Sequence, residues 1–310
     1  MNFIDLHCDT ASRMYYEKLD LKESICKVDI EKLKKGNCLA QVFAIFVDQK
    51  SNFSSFDEFI KIYNNFINEI KKNSNEIEIV TNVCEMNKAH KDGKIGAFIS
   101  IEEGEVLEGN IENLKKVYDL GVRILTVMWN YKNKFGYPNA QFKYQNKGLT
   151  EKGVEVIEEC EKLGIIPDVS HLSDAGFYDC IKICKKPFIA SHSNARSVTN
   201  HPRNLTDDMI KLLADKGGVM GLNFCAEFLG NDSIASMEEI VCHAKHIKNT
   251  GGIDVLCFGS DFDGILNEVE IENSAQFNKL YDRLKKVNFT DDEIEKIFYK
   301  NVLRVLDETL

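Results

Sequence analysis

The sequence predicts a (β/α)8 barrel, an α/β architecture closed by a parallel sheet, on three observations. Eight apolar, β-rich runs recur along the 310 residues. Segments of helical periodicity separate most of them, and five short acidic or histidine-bearing motifs each end a strand-like run. Strand–helix alternation implies a parallel sheet, and eight units allow that sheet to close. An open doubly wound sheet is the alternative, but no glycine-rich nucleotide loop follows the first run.

The eight runs are Phe3–Leu6, Leu39–Val47, Ile95–Ile101, Val122–Met128, Ile165–Val169, Pro187–Ala190, Val219–Phe224 and Val255–Gly259. Near-continuous apolar runs suit parallel strands that are covered on both faces. A ninth run, Ile77–Val80, falls in the connection before Ile95. Among the helical segments, Ile111–Leu120 and Glu151–Leu163 stop at Gly121 and Gly164, as helices ending in a left-handed glycine do. Thr206–Lys216 leads into Gly217-Gly218. Ser236-Met237-Glu238-Glu239 and Thr290-Asp291-Asp292-Glu293 have the spacing of capping boxes that open two further helices. With 4 prolines and no low-complexity stretch, the chain reads as a single domain over residues 1–310.

Composition narrows the function. A formal charge of -10 and a pI near 5.3 argue against a broad nucleic-acid surface or attachment to an anionic membrane. No apolar stretch approaches the roughly 20 residues that span a bilayer. The amino terminus is strand-like rather than leader-like. Ten cysteines without a CxxC pair read as reduced, mostly buried thiols. Together these features predict a cytoplasmic protein.

The five motifs are Asp5-Leu6-His7-Cys8-Asp9, Ile101-Glu102-Glu103-Gly104, Asp168-Val169-Ser170-His171, Ala190-Ser191-His192-Ser193 and Gly259-Ser260-Asp261-Phe262-Asp263-Gly264. A barrel gathers residues from the carboxyl ends of its strands into one pocket, however distant they are in sequence. His7 and Asp9 are two apart, so in an extended segment both can grip one metal. Glu102 has two oxygens and can bridge two ions, although Glu103 and Glu105 compete for that part. His171 and His192 offer imidazoles that suit zinc or another first-row divalent ion. A free Asp261 beside such ions can carry a proton, while Asp263 reads as shaping the turn with Gly264. His90, His243 and His246 have no comparable setting, and the last two read as helix-face residues. Three imidazoles with several carboxylates form the ligand set of a two-metal hydrolase.

In the order and spacing of its motifs the chain resembles the renal (membrane) dipeptidase family of the amidohydrolase superfamily. The similarity runs from Asp5-Leu6-His7-Cys8-Asp9 to Asn301-Val302-Leu303-Arg304-Val305. It is strongest at Asp168–His171, Ser191–Arg196, His201-Pro202-Arg203-Asn204-Leu205 and Gly259–Gly264. The resemblance implies a binuclear site with two Zn2+ ions that cleaves dipeptides, including ones with a D-residue at the carboxyl end, and it implies a homodimer. It assigns His7, Asp9 and Glu102 to the first zinc and Glu102, His171 and His192 to the second. It makes Asp261 the proton-transferring residue and Arg203 the holder of the substrate's terminal carboxylate, a task that suits guanidinium.

Two departures bear on substrate preference. Where mammalian members carry a substrate-contacting histidine, this chain reads Leu125-Thr126-Val127-Met128-Trp129-Asn130. Trp129 can aim its indole N–H at an oxyanion or wall the pocket. Cys225 stands where the mammalian pattern has an aromatic residue. The long segment at about 130–148, with Tyr131, Phe135, Tyr137, Phe142 and Tyr144, reads as a lid over the pocket. A dimer contact made by exposed aromatics is the other reading. A same-fold hydrolase of a lactone or non-peptide amide and a metal-binding protein without turnover are the rival functions. Deoxyribonuclease-like and phosphotriesterase-like barrels usually open with His-x-His rather than His7-Cys8-Asp9.

Overall fold

A computed structural model describes residues 1–50, 54–230 and 233–310. Eight parallel strands form its centre: β1 Phe3–Cys8, β2 Cys38–Phe46, β3 Ile95–Glu102, β4 Val122–Thr126, β5 Ile166–Asp168, β6 Ile189–Ala190, β7 Val219–Leu222 and β8 Leu256–Phe258. They pair in the order β2-β1-β8-β7-β6-β5-β4-β3. The ring closes where β3 meets β2, from Ala40↔Gly96 to Phe46↔Glu102. Closure leaves no free edge in the ring, which removes the hazard of an unpaired strand. The ninth run forms the short strand Ile77–Ile79, which pairs with Ile95–Ala97. It takes the lower part of the β3 edge, whose upper part, Ile99–Glu102, pairs with β4.

Apolar residues fill both faces, as a parallel sheet requires. All eight residues of β3 are buried. One group of side chains, among them Ile4, Val42, Phe98, Ile124, Ile166, Ile189 and Val219, packs together. A second, larger group lies with the surrounding helices, and it includes Phe3 stacked on Phe277 at 4.2 Å. Five of the eight runs overshoot the carboxyl ends of their strands: pairing stops at Phe46, Thr126, Asp168, Leu222 and Phe258, where the backbone turns into the connections that carry polar side chains. The first and third runs fall short instead, so His7 lies inside β1 and Glu102 inside β3.

The helix ends follow their local chemistry. Ser236 and Thr290 form reciprocal capping boxes with Glu239 and Glu293. Helix Glu151–Leu163 stops at Gly164 in the left-handed region. Helix Ile111–Asp119 stops at Leu120, followed by Gly121 at φ 95°. At the carboxyl-end mouth a two-stranded ribbon pairs Ile234–Ala235 with Glu268–Val269, anchoring the connection that begins at Asp261. Among the described residues no helix is long and apolar enough to cross a membrane. All ten cysteines are free, and seven are buried.

Candidate active site

The barrel mouth collects side chains from five of its eight strand ends. His7 projects from β1 and Asp9 follows it. Glu102 is the last residue of β3, His171 and His192 come just after β5 and β6, and Asp261 comes after β8. The His7 Nε2 lies 3.4 Å from Glu102 Oε2, 3.5 Å from Asp9 and 3.9 Å from Asp261. The other Glu102 oxygen, Oε1, lies 3.1 Å from His171 Nε2 and 3.6 Å from His192 Nε2. One carboxylate thus faces His7 with one oxygen and His171 and His192 with the other. Glu103 and Glu105 do not compete with it. Glu103, at φ 89°, accepts from Asn133 and from the amides of Glu105 and Trp129. Glu105 pairs with Lys134.

Tautomers can be read from the outer partners. His171 Nδ1 lies 3.0 Å from Asn130 Oδ1, an oxygen that can only accept. His192 Nδ1 lies 2.6 Å from Ser191 Oγ, whose own proton goes to Asp168 at 2.6 Å. Both rings therefore carry their hydrogen on Nδ1 and expose a bare lone pair at Nε2. Those two Nε2 atoms are 3.0 Å apart and share their space with Glu102 Oε1. Acceptors facing one another at this distance repel unless a cation lies among them. His7 Nε2 is likewise buried without a hydrogen-bond partner. His7, Glu102 and His192 form one group able to hold a metal ion, and His7, Asp9 and Asp261 form a second. The donor set fits divalent metal.

The electrostatics are divided in the same way. Burial opposes charge on His7, but Glu102 and Asp9 beside it raise its pKa well above the ordinary imidazole value. Burial, then the nearby Arg203, lowers His171 to about 4. Burial, then His7, holds His192 well below its usual value. Burial raises Asp261 to about 6, with His7 lowering and Glu102 raising it.

Several supports escaped the sequence reading. Asp168, fully buried, accepts from Thr126, Ser191 Oγ and the amides of Ser170 and Ser191. Asn223 donates to Asp261 Oδ2 at 2.8 Å and exchanges amide bonds with Asn194. Asp263 does more than shape a turn. It accepts from Thr10, Arg13 and the amides of Lys27 and Val28, tying the first connection to the last. His243 does lie on a helix, Met237–Gly251, but on its inner face: it is buried, and its Nδ1 accepts from the Ala195 amide while Nε2 faces Leu229 O. His246 does sit near the surface, paired with Asp207. The buried Asp168 amid serines had a signal in its motif, whereas Asn130 and Asn223 gave none.

A cavity of ≈ 1530 Å³ opens above these groups, with Arg203, Trp129 and Cys225 in its lining. Arg203 makes no surface ion pair. Its guanidinium is buried, with Nη2 on His192 O at 3.1 Å and with Nε and Nη1 unpartnered. Burial pushes its pKa down and Asp261 opposes that shift. Arg196 takes the ion pair instead, bidentate to Asp174. The 130–148 segment contributes Asn130, Tyr131, Pro138 and Tyr144 to the same cavity and is tied to the His171 connection by Asn139 N–H on His171 O. None of its five aromatics is fully exposed, and Phe135 is buried.

A closed parallel barrel with this donor set at its carboxyl mouth is the frame of a metal-dependent hydrolase. The chain belongs to the membrane dipeptidase family (peptidase family M19), a family of metallodipeptidases whose model matches residues 1–310. It is 29% identical to an uncharacterised dipeptidase of Schizosaccharomyces pombe, over 98% of this chain and 77% of that protein. It is 31% identical to an uncharacterised protein encoded in the pqqA 5′ region of Klebsiella pneumoniae, over 76% of this chain and 90% of that one. Among solved structures, a metallopeptidase from Rhodobacter sphaeroides, liganded with a phosphinate mimic of the dipeptide L-Ala-D-Ala, superposes with a TM-score of 0.90. That pair shares 23% identity, covering 100% of this chain and 99% of the other.

Proposed function

We propose that this chain hydrolyses dipeptides, including those with a D-residue at the carboxyl end, at a site built for two zinc ions. The observation that carries this reading is the split of Glu102, with Oε2 toward His7 and Oε1 toward His171 and His192. On this reading His7, Asp9 and Glu102 hold one ion, and Glu102, His171 and His192 hold the other. When bound, such a pair supplies Lewis-acid polarisation of a carbonyl and lowers the pKa of water. Asp261, fixed by Asn223, takes up a proton at its free oxygen and returns it to the leaving amine. Arg203 offers two unpartnered donor nitrogens, Nε and Nη1, to the terminal carboxylate and so orients the scissile bond. Trp129 walls the pocket. The 130–148 segment covers the mouth and limits access to small substrates, which would read the chain as one domain with a lid. The dipeptide mimic in the Rhodobacter sphaeroides protein supports an L-D dipeptide as substrate.

The test is turnover of the metal-loaded protein against L-L and L-D dipeptides, N-acyl amino acids and lactones, with metal content measured on the same sample. The expected result is cleavage of dipeptides at two equivalents of zinc per chain. Cleavage of lactones or N-acyl amino acids with dipeptides untouched would overturn the substrate assignment, and one equivalent in the fully active protein would overturn the binuclear site.

A further inference from the structure

The cavity contains an aromatic shelf with no part yet in the chemistry. Phe46, at the end of β2, packs on Trp129 at 4.8 Å between ring centroids, and Trp129 packs edge-on against Tyr131 at 5.4 Å. All three line the cavity. The shelf is held from behind. The Trp129 amide donates to the buried Glu103, and Lys50 lies over the Tyr131 ring at 4.8 Å. Aromatic groups held this way present apolar area at little entropic cost.

Barrel topology sets where the shelf lies relative to Arg203. In the ring order β2-β1-β8-β7-β6-β5-β4-β3, β6 and β2 are four strands apart in either direction, so their ends are opposite. Arg203 lies on the connection after β6 and is bonded to His192 O there. Phe46 ends β2, and Trp129 reaches it from the connection after β4. Glu102, on β3, and the histidines lie between. A dipeptide with its carboxylate on Arg203 and its peptide bond over Glu102 must extend its first residue toward Phe46, Trp129 and Tyr131.

We infer that Phe46, Trp129 and Tyr131 form the subsite for the side chain of the amino-terminal residue, and that this subsite selects a large apolar or aromatic residue there. The inference rests on the dipeptidase reading and adds the substrate class to it. Trp129 is also the one tryptophan of the chain, so its emission reports on the subsite directly.

Two measurements test it together. The first is the ratio of kcat/KM for Phe-Ala over Gly-Ala in the metal-loaded protein, in wild type and in Phe46→Leu, Phe46→Ala and Tyr131→Ala. Apolar pockets discriminate by roughly tenfold or more for such a difference in size, so the ratio should be at least about 10 and fall several-fold in each variant. The second is tryptophan emission on titration with non-hydrolysable phosphinate analogues of the same two dipeptides. The Phe analogue should shift the emission and the Gly analogue should not. Hydrolysis of both dipeptides at equal efficiency, a preference for Lys-Ala, or an emission unmoved by the Phe analogue would overturn the subsite while leaving dipeptidase activity standing. Hydrolysis of no dipeptide at all would overturn both.

Discussion

The two halves of the barrel mouth are built differently. Around His7 the neighbours are carboxylates: Asp9, Asp261 and one oxygen of Glu102 lie within 3.4–3.9 Å of its Nε2. Around His171 and His192 the facing atoms are neutral imidazole nitrogens, each ring oriented through Nδ1 by Asn130 or by Ser191 and Asp168. The first half concentrates negative charge and relies on a cation to relieve it. The second half relies on hydrogen bonds that fix its geometry in advance. The lesson is that acid-rich and imidazole-rich halves fail by different routes, through charge and crowding in one and through loss of orientation in the other.

Glu102 belongs to both halves, so its removal has the largest expected effect. Glu102→Gln keeps the shape but gives up the shared charge. It should lower kcat/KM by roughly 10³-fold or more, with metal content dropping by at least one equivalent per chain in elemental analysis. A variant that retained two equivalents and most of its turnover would show that the halves do not share this residue.

The acid-rich half is more sharply probed at Gly264. A Cβ there would come 2.1 Å from Asp9 Oδ2 and 2.7 Å from Asp261 Oδ1. Both atoms are ends of side chains, so the fold can yield while the site cannot. Gly264→Ala should leave thermal stability nearly unchanged yet displace both carboxylates, at a cost of about 10²-fold in turnover. Asp168→Asn is the matching probe of the imidazole half. It removes an acceptor from Ser191 and loosens His192 without touching any carboxylate near His7. Loss of such an outer partner typically costs about 10–100-fold in metal affinity, measurable by competition with a chelator. If the two variants lost the same metal equivalent, the contrast between the halves would be wrong.

How far these features could be read beforehand depends on whether they are periodic. The eight strands are largely buried and mostly apolar, which is why Ile95–Ile101 and Leu39–Val47 stand out, and glycine stops and capping boxes mark helix ends locally. The proposed ligands are legible because each closes a strand-like run. Arg203 is legible as a residue, but its burial without an anionic partner is not, because that depends on where His192 O lies in space. Asn223 and Asn130 are invisible for the same reason. An amide that bonds a partner 38 or 41 residues away leaves no local pattern. The backbone at the mouth adds a further hidden feature. Glu103, His171, Asp261 and Asp263 all take positive φ, where non-glycine residues are uncommon and tend to mark functional sites.

His243 gives an effect on stability rather than on turnover or metal, and a test of how the imidazole half is braced from outside. Its Nδ1 accepts from the Ala195 amide, three residues beyond His192, and its Nε2 donates to Leu229 O. Protonation would set a second donor against the Ala195 N–H, and burial lowers the pKa to about 4. The folded value lies below the unfolded one of about 6.5, so the neutral ring contributes stability that is fully present above pH 6.5. That contribution declines as pH falls toward 4, because the unfolded chain takes up the proton first. A shift of this size corresponds to a loss on the order of 2–3 kcal/mol across that window. Denaturant unfolding at pH 7 and pH 4.5 should show His243→Gln less stable than wild type at the higher pH, with the gap narrowing at the lower. A gap of equal size at both values would mean that packing, not the protonation state of the ring, braces the connection after His192.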